Sequence, residues 1–510
     1  MKPDYLILGS GLSALSFGAL MAKRGKIVQI IEAHDVPGGY GHTFVGSNKY
    51  SFNAQFHYVW NCGEGETVHN LLKKLGLAEK LTFEQYDLNG FDHMHMPGYK
   101  LRIPNNRQIL INRLCKMFPQ NQNEIEKFID EVFRVAREVD HLPQKSSMIS
   151  LAVAAKDIRK LVRYRNATLQ DVFEQFQLPL EVQTLLALQW PDFLLPPEKL
   201  SFIAWVLLFT GYIRGAYYPT DHFESIINSL VDVITSNRGE VILGTKVTQF
   251  IMDRGKVKAI KTESTTDETA KREFSAKTIV CNIDPKWAAD LIGLKHFSPN
   301  IRKKLDYEYS PSNFMAYCVV KGLDLRDHGF GKWNIFHTDN PNLNECFDMM
   351  YTQGDYSKPS FAITTPSLLS NNNSDCPKDC QLVEFLTVAN YQRFLELRIS
   401  NPRLYRLKKR QIMDSILDIM ERDYVPNFRK YLVFEMLGSP TTNQRYCWSP
   451  YGNSYGSNLT PENMGINRLD SESSIDNFYF CNASSGMPGF VGTIWTGARL
   501  YEKLTDDSIN

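Results

Sequence analysis

The chain has no long hydrophobic run. Across its 510 residues there is no stretch of about 18 or more apolar residues, so a transmembrane helix is not expected. The most apolar run covers residues 202–213 and is too short to span a bilayer. It is a buried core helix, the lining of an apolar tunnel, or a segment that dips into one leaflet. Residues 148–165 mix apolar and basic side chains, which is typical of a helix on an anionic membrane surface or of a solvated helix face.

The chain also has no excess of charge of either sign. Lys and Arg total 57, Asp and Glu total 56, and the net charge is +1. No global field therefore favours nucleic acid as a partner. An apolar run fit for a strand starts at Tyr5, which leaves no room for a cleaved signal or transit peptide. We expect a cytoplasmic protein, and peripheral membrane contact through residues 148–165 and 202–213 stays open. The sequence does not indicate an oligomeric state.

The cysteines do not have the spacing of a metal site. Nine are scattered along the chain, and the close pair Cys376 and Cys380 has no partners at zinc spacing. Reduced, structural thiols in a cytosolic protein are the favoured interpretation, and no metal is expected. Cys62 has no visible base partner, so we do not consider it a nucleophile.

Residues 4–39 combine the parts of a dinucleotide site. Tyr5–Leu8 is an apolar run fit for a central parallel strand, and a G-x-G-x-x-A turn follows it. In that turn the first glycine permits the tight bend, the second lets backbone approach a pyrophosphate, and the alanine lets the helix pack on the sheet. The next strand, Ile27–Ile31, ends at Glu32, where a carboxylate can accept a hydrogen bond from a ribose hydroxyl. The turn consists of Gly9, Ser10, Gly11, Leu12, Ser13 and Ala14.

A second glycine pair, Gly38 and Gly39, follows the acid. Nicotinamide enzymes do not need such a turn, whereas FAD enzymes of the glutathione-reductase-like group lay its backbone against the pyrophosphate. The alternative is an ordinary loop between strand and helix. No second G-x-G-x-x-G occurs in the chain, so a dedicated NAD(P)H domain is not expected. Three routes for the electrons stay open. A reductant such as NAD(P)H would bind transiently, or electrons would leave to a quinone or oxygen. An isomerisation would need no net transfer of electrons.

The order of strands and helices predicts an α/β protein with a discontinuous, Rossmann-type FAD-binding domain of the glutathione-reductase-like kind. Residues 1–95, 215–300 and 455–510 alternate strand and helix and are assigned to that domain. Residues 96–214 and 301–454 are assigned to an inserted α+β substrate domain.

Four separated segments resemble the FAD-dependent carotenoid and retinoid oxidoreductases, which include phytoene desaturases, carotenoid isomerases and retinol saturases. They are residues 9–44, 50–60, 215–260 and 477–500. The second segment, YSFNAQFHYVW, is similar to the family's F-D-x-G-x-H-Y stretch, with Asn53 and Gln55 in place of Asp and Gly. In the third, Asp221 and His222 replace a Gly-Gly after Tyr-Pro.

The resemblance implies an FAD-dependent enzyme that saturates, desaturates or isomerises a C=C bond of a long apolar polyene. It implies that the first glycine turn holds the FAD diphosphate, Glu32 the adenosine ribose, and Gly38 and Gly39 the phosphate and ribityl side. The backbone of Val247 would meet the adenine. At the C-terminal end the flavin residues would be Asn482, Gly489, Phe490 and Val491, at a helix N-terminus that stabilises negative charge near flavin N1.

Three polar side chains are candidates for a proton donor or acceptor beside a flavin: His57, Tyr58 and His222. His57 follows the segment that is expected to pass beneath the flavin. An imidazole can exchange a proton near pH 7. For any one histidine a structural hydrogen bond is the alternative.

Two other functions fit the same architecture. A flavin amine oxidase would place an aromatic cage beside the flavin and release hydrogen peroxide, and the abundant Tyr and Phe give this alternative little support. A GDP-dissociation-inhibitor-like binder of prenylated proteins would hold no flavin. The intact glycine turn, Glu32 and the C-terminal Pro-Gly-x-x-Gly segment argue against this binder.

Overall fold

In the computed structural model, which describes residues 2–139, 157–370 and 375–509, the helices and strands have the following bounds. The strands are β1 (Tyr5–Leu8), β2 (Val28–Ile31), β3 (Thr43–Gly46), β4 (Tyr50–Asn53), β5 (Val59–Trp60), β6 (Phe83–Gln85), β7 (Asp92–Met96), β8 (Tyr99–Ile103), β9 (Ala216–Pro219), β10 (Glu240–Ile242), β11 (Thr245–Asp253), β12 (Lys256–Ser264), β13 (Lys271–Phe274), β14 (Thr278–Cys281), β15 (Ser312–Lys321), β16 (Asn334–His337), β17 (Phe361–Thr364), β18 (Cys380–Ala389), β19 (Leu432–Gly438) and β20 (Phe478–Phe480). The α-helices are α1 (Leu12–Lys23), α2 (Thr67–Leu75), α3 (Arg107–Met117), α4 (Gln122–Val139), α5 (Arg159–Tyr164), α6 (Leu169–Gln175), α7 (Leu180–Ala187), α8 (Phe202–Arg214), α9 (His222–Ser236), α10 (Pro285–Ile292), α11 (Pro299–Leu305), α12 (Leu343–Phe347), α13 (Tyr391–Ser400), α14 (Pro402–Asp423), α15 (Pro440–Cys447) and α16 (Gly489–Thr505).

A five-stranded parallel sheet joins three distant parts of the chain. Its order is β10-β2-β1-β14-β20, and each neighbouring pair is parallel. Helices α1, α9 and α16 pack together against it, and the β11–β13 meander with α10 adds a second apolar cluster that includes Leu6, Leu8 and Ile279. The strands are apolar because both faces of the sheet are covered. The predicted Rossmann-type α/β class is confirmed.

A seven-stranded mixed sheet forms the rest of the framework. Its order is β19-β15-β18-β17-β16-β7-β8, and β7 pairs in parallel with β16. Strand β15 is buried from Ser312 to Val320, because β18 and β19 flank it and helices cover it. Residues 92–95, placed in the first segment of the predicted cofactor domain, belong to this sheet through β7. The predicted domain boundaries otherwise stay a prediction.

The two segments considered for membrane contact have different outcomes. Within the part of the chain described here, no helix combines the length and apolarity needed to cross a bilayer. Most of residues 202–213 in α8 are buried and none is exposed, which favours the core and tunnel interpretations; membrane contact stays a prediction. Residues 148–156 of the basic stretch lie outside the described residues. The remainder forms α5, where Lys160 pairs with the buried Glu131 at 2.6 Å.

Candidate functional site

One cleft lies where the carboxyl ends of the parallel strands meet the seven-stranded sheet. It encloses a cavity of about 390 Å³. In open α/β sheets this is the edge at which ligands bind. Among the predicted site residues, the cleft is lined by Gly9, Ser10, Gly11, Leu12, Ser13, Glu32, Gly38, Gly39, His57, Tyr58, Asn482, Gly489, Phe490 and Val491.

The first glycine turn has the geometry that its sequence predicts. Gly9 has a φ of +96°, which a side chain would strain. A Cβ atom on Gly11 would lie 2.6 Å from Oδ1 of Asn282, the acceptor of the Gly11 N–H bond at 2.8 Å. Helix α1 then begins without a side-chain cap. Ala14 is fully buried behind the turn, where it packs the helix and does not line the cleft.

The Glu32 carboxylate sits at the end of β2 and faces the same turn. Its Oε2 accepts hydrogen bonds from the N–H of Ser10 at 2.7 Å and from the Ser10 hydroxyl at 2.6 Å. Its Oε1 accepts from the N–H of His34 at 2.8 Å. The side chain is half-buried in the lining, so its oxygens are fixed beside the position predicted for a ribose.

The second glycine turn contacts the first. The N–H of Gly38 donates to the carbonyl of Ser10 at 3.1 Å. Gly38 and Gly39 have φ values of +110° and +56°, and a Cβ on Gly39 would lie 3.5 Å from the Cα of Gly11. Two bare backbone turns thus lie side by side at one wall of the cleft, as a diphosphate requires.

At the opposite wall, helix α16 begins with its first turn in the cleft lining. Pro488 precedes it, no side chain caps it, and its first turn contains no acidic residue. Gly489 has a φ of +76°, and a Cβ there would meet no atom within 4 Å, so the backbone borders open space. Asn482 lies in the lining but directs its Oδ1 to the N–H groups of Ser484 and Ser485, both at 3.0 Å.

These features fit a flavin adenine dinucleotide. Two glycine turns give the diphosphate close backbone approach, Glu32 offers an acceptor to a ribose, and the uncapped start of α16 offers a positive dipole end to the flavin ring. Val247 is buried and lies outside the lining, so its predicted backbone contact with adenine stays a prediction. Its strand is tied to the acid, because the Thr245 N–H donates to the Glu32 carbonyl at 2.8 Å.

His57 and Tyr58 both line the cleft, and each is backed by buried carboxyl groups. Nδ1 of His57 lies 3.0 Å from Oε2 of Glu384. The hydroxyl of Tyr58 lies 2.8 Å from Oδ2 of Asp192 and 3.1 Å from Oδ2 of Asp92. Burial raises the pKa of Asp92 to about 7, and burial together with the charge of Asp92 raises that of Asp192 well above its ordinary value.

His222 lies outside the cleft, so its position does not support the predicted catalytic role. It begins α9 with a φ of +63°, its side chain is buried against Asp375, and its Nδ1 lies 3.0 Å from the Tyr218 hydroxyl. Asn53 donates to that same hydroxyl at 2.7 Å. These contacts agree with the alternative interpretation, in which His222 forms a structural hydrogen bond.

Sequence reasoning missed several residues of the cleft. They include Asp192 and Asn282, which line the cleft, and a further missed residue is Glu384, which contacts His57 from behind the lining. None of the three has a motif around it in the sequence. Gln55, noted as a departure from the family pattern, forms an amide cluster: it donates to Asn443 at 3.3 Å and accepts from Asn313 at 2.5 Å. Asn313 and Glu384 are polar residues within apolar strands, and this pattern could have indicated that they lie near a site.

The far part of the cleft is apolar. Helix α8 contributes one side of it, and Tyr212 of that helix stacks on Tyr58 with ring centroids 4.0 Å apart and planes 9° apart. Such a wall suits an extended hydrocarbon, because few polar groups there need a partner. The apolar lining residues are Trp60, Phe193, Ala204, Leu207, Leu208 and Leu459.

One cluster elsewhere has the composition of a cation site. His337, Asp339 and Asp423 offer atoms within 4.8 Å of one another. The guanidinium of Arg422 already pairs with both carboxylates, at 2.7 Å and 2.6 Å. The charge of Arg422 thus already balances part of the negative charge of this cluster.

Fold and cleft together define the class of dinucleotide-binding proteins with a Rossmann-type core. Residues 7–75 match the family model described as NAD(P)-binding Rossmann-like domain. An all-trans-retinol 13,14-reductase from Danio rerio is 23% identical over 97% of this chain and 84% of its own length. A chloroplastic prolycopene isomerase from Arabidopsis thaliana is 21% identical over 99% and 83%. The resemblance to carotenoid and retinoid oxidoreductases is confirmed over nearly the whole chain.

Among solved structures, the fold is similar to cyclohexylamine oxidase from Brevibacterium oxydans. That match has a TM-score of 0.63 and 14% identity, and it covers 99% of this chain and 100% of the other. At this sequence identity the match supports a similar fold and nothing further.

Proposed function

We propose that the protein is an FAD-dependent oxidoreductase that acts on C=C bonds of a long apolar polyene such as a carotenoid or retinoid, by saturation, desaturation or cis–trans isomerisation. The observation behind the proposal is the continuity of one cleft. Two glycine turns, with Glu32 and the start of α16, line one part of the cleft. The apolar wall of α8 lines another part of it. The names of the relatives that match nearly the whole chain, retinol reductase and prolycopene isomerase, also support polyene chemistry.

A bound flavin supplies hydride transfer to or from carbon. The chain holds the diphosphate with backbone N–H groups and stabilises negative charge with the dipole at the start of α16. The apolar wall binds the hydrocarbon and excludes water from the reacting bond. His57 and Tyr58 stand in the lining and can hold a proton there. NAD(P)H that binds transiently is the proposed reductant.

The test is a single-turnover reaction. Protein loaded with FAD is reduced anaerobically and mixed with a polyene panel, and the product mass is measured. A gain of two hydrogens indicates saturation, and an unchanged mass with altered geometry indicates isomerisation; the oxidised holoprotein mixed with the same panel tests for the loss of two hydrogens that marks desaturation. Conversion of amines with release of hydrogen peroxide, and of no polyene, would overturn the proposal in favour of an amine oxidase.

A further inference from the structure

Two carboxyl groups, the buried Asp92 and the half-buried Asp192, meet at one hydroxyl group beside the cleft. The Tyr58 Oη atom lies within hydrogen-bond distance of Oδ2 of Asp192 and Oδ2 of Asp92, at 2.8 Å and 3.1 Å. Asp92 is fully buried on β7, and Asp192 lines the cleft. Neither carboxyl group forms an ion pair within residues 2–139, 157–370 and 375–509, and the groups that shift their pKa values include no cation.

This arrangement requires one more proton than tyrosine has. The hydroxyl of Tyr58 has one proton and can donate to only one of the two carboxyl groups. The other contact is a hydrogen bond only if the second carboxyl group is protonated and donates to the tyrosine oxygen. Two carboxylates this close in a dry site are also mutually repulsive, which favours a shared proton.

The proton belongs on Asp192. Asp92 accepts from two amide groups, the Nδ2 of Asn334 at 2.9 Å and the Nε2 of Gln189, and these donors stabilise its charged form. The carboxyl group of Asp192 has Tyr58 as its hydrogen-bond partner among the described residues. Asp192 is therefore the neutral member of the pair, and it is the member that faces the cleft.

We propose that Asp192 is the proton donor to the polyene carbon when the C=C bond is saturated; this inference rests on the proposed function. A reduced flavin bound in the cleft would supply the hydride to one carbon and would be oxidised by that transfer. The π electron pair forms a new C–H bond at the other carbon with the proton of Asp192, which leaves a carboxylate. A proton from water that enters as product leaves restores the acid. In the reverse direction the carboxylate accepts the proton.

The first experiment measures the protonated carboxyl group directly, without turnover. The infrared spectrum of FAD-loaded protein, taken at a pH well above the pKa of about 7 of Asp92, should contain the carbonyl stretch of a neutral carboxyl group, and Asp192→Asn should remove it. Asp253→Asn, the same change at an exposed hairpin residue, should leave the band in place. If Asp192→Asn does not fold, Tyr58→Phe is measured, which should shift the band. A band that survives Asp192→Asn unchanged, or does not respond to Tyr58→Phe, overturns the proposal.

The second experiment follows the proton into the product. In deuterated water the wild type should place non-exchangeable deuterium on both carbons of the saturated bond, since the N5 hydrogen of a reduced flavin also exchanges with solvent. Asp192→Asn should lower the single-turnover rate at least about 100-fold and leave FAD binding unchanged. An unchanged rate in Asp192→Asn overturns the proposal. A wild-type protein that takes up no FAD would overturn the proposed function, while the infrared result on Asp192 would still decide the protonation.

Discussion

Glu384 and His57 form a buried pair at the wall of the cleft. Oε2 of Glu384 lies 3.0 Å from Nδ1 of His57, and the two side chains are 1% and 7% exposed. Glu384 comes from the middle of β18, whereas His57 lies just before β5, so the pair joins the seven-stranded sheet to the segment under the proposed flavin. Among the residues that the structure describes, Nε2 of the imidazole has no hydrogen-bond partner. The pair therefore fixes the ring while leaving one nitrogen free.

Glu384→Gln should lower the free energy of unfolding by about 1–3 kcal/mol, because the buried imidazole of His57 loses its carboxyl partner and the new amide lacks partners of its own. The matched control is Glu435→Gln on β19 of the same sheet. Glu435 pairs with the partly exposed Arg410, and a pair of that kind contributes about 1 kcal/mol or less. Thermal unfolding of both variants measures the difference. Equal losses would show that the Glu384–His57 pair has no special stability.

Glu32→Gln should weaken FAD binding about tenfold to a hundredfold, since the amide still fills the space but offers a poorer acceptor to the ribose. Titration of the apoprotein with FAD, followed by flavin fluorescence, gives the dissociation constant. Glu240→Gln is the control: Glu240 lies on β10 next to β2, is exposed, and accepts only from the side chain of Gln29 at 2.9 Å. An affinity unchanged by Glu32→Gln would exclude the ribose contact.

Gly11→Ala should abolish stable FAD binding, because the added Cβ would lie 2.6 Å from Oδ1 of Asn282 and fill the cradle of the turn. Flavin content after purification measures this effect. Gly438→Ala makes the same change where the new Cβ meets no atom closer than 3.6 Å, and it should purify with the wild-type flavin content. A Gly11→Ala protein that retains full FAD would contradict the proposed diphosphate position.

The pKa of about 7 for Asp92 predicts how stability depends on pH. The folded pKa lies above the ordinary 3.8, so between these values the folded protein binds more protons than the unfolded chain. The free energy of unfolding should therefore fall as pH rises from about 4 to about 7, by up to about 1.4 kcal/mol per pH unit. The groups that face this carboxyl group are Tyr58, Asp192, Gln189 and Asn334.

Thermal unfolding across this pH range measures the slope. Asp92→Asn should make the slope shallower, and the raised pKa of Asp192 should keep part of it. The exposed Asp253→Asn should keep the wild-type slope. A slope that Asp92→Asn leaves intact would place the titration on another group.

The sequence was informative where the chemistry is local. The turn from Gly9 to Ala14, Glu32 and the pair Gly38–Gly39 could be predicted, because each depends on residues a few positions apart and on the strand and helix they join. The same holds for the start of α16.

The carboxyl groups behind His57 and Tyr58 could not be predicted in this way. Asp92, Asp192 and Glu384 come from a strand, a short turn and another strand, and only tertiary packing brings them to His57 and Tyr58. His222 shows the opposite error, since its chemistry is suitable but its chain position directs it to Asp375. The apolar run at residues 202–213 left a core helix, a tunnel lining and a leaflet segment open, and the structure shows that most of α8 is buried.

The central claim is that three distant parts of the chain bind one flavin in the cleft between Gly11, Glu32 and Gly489. The most direct measurement is the visible spectrum and FAD stoichiometry of the purified protein after incubation with FAD and removal of the excess. The account predicts a yellow protein with one FAD per chain, and no flavin in Gly11→Ala. A colourless wild-type protein that cannot be loaded with FAD would contradict it.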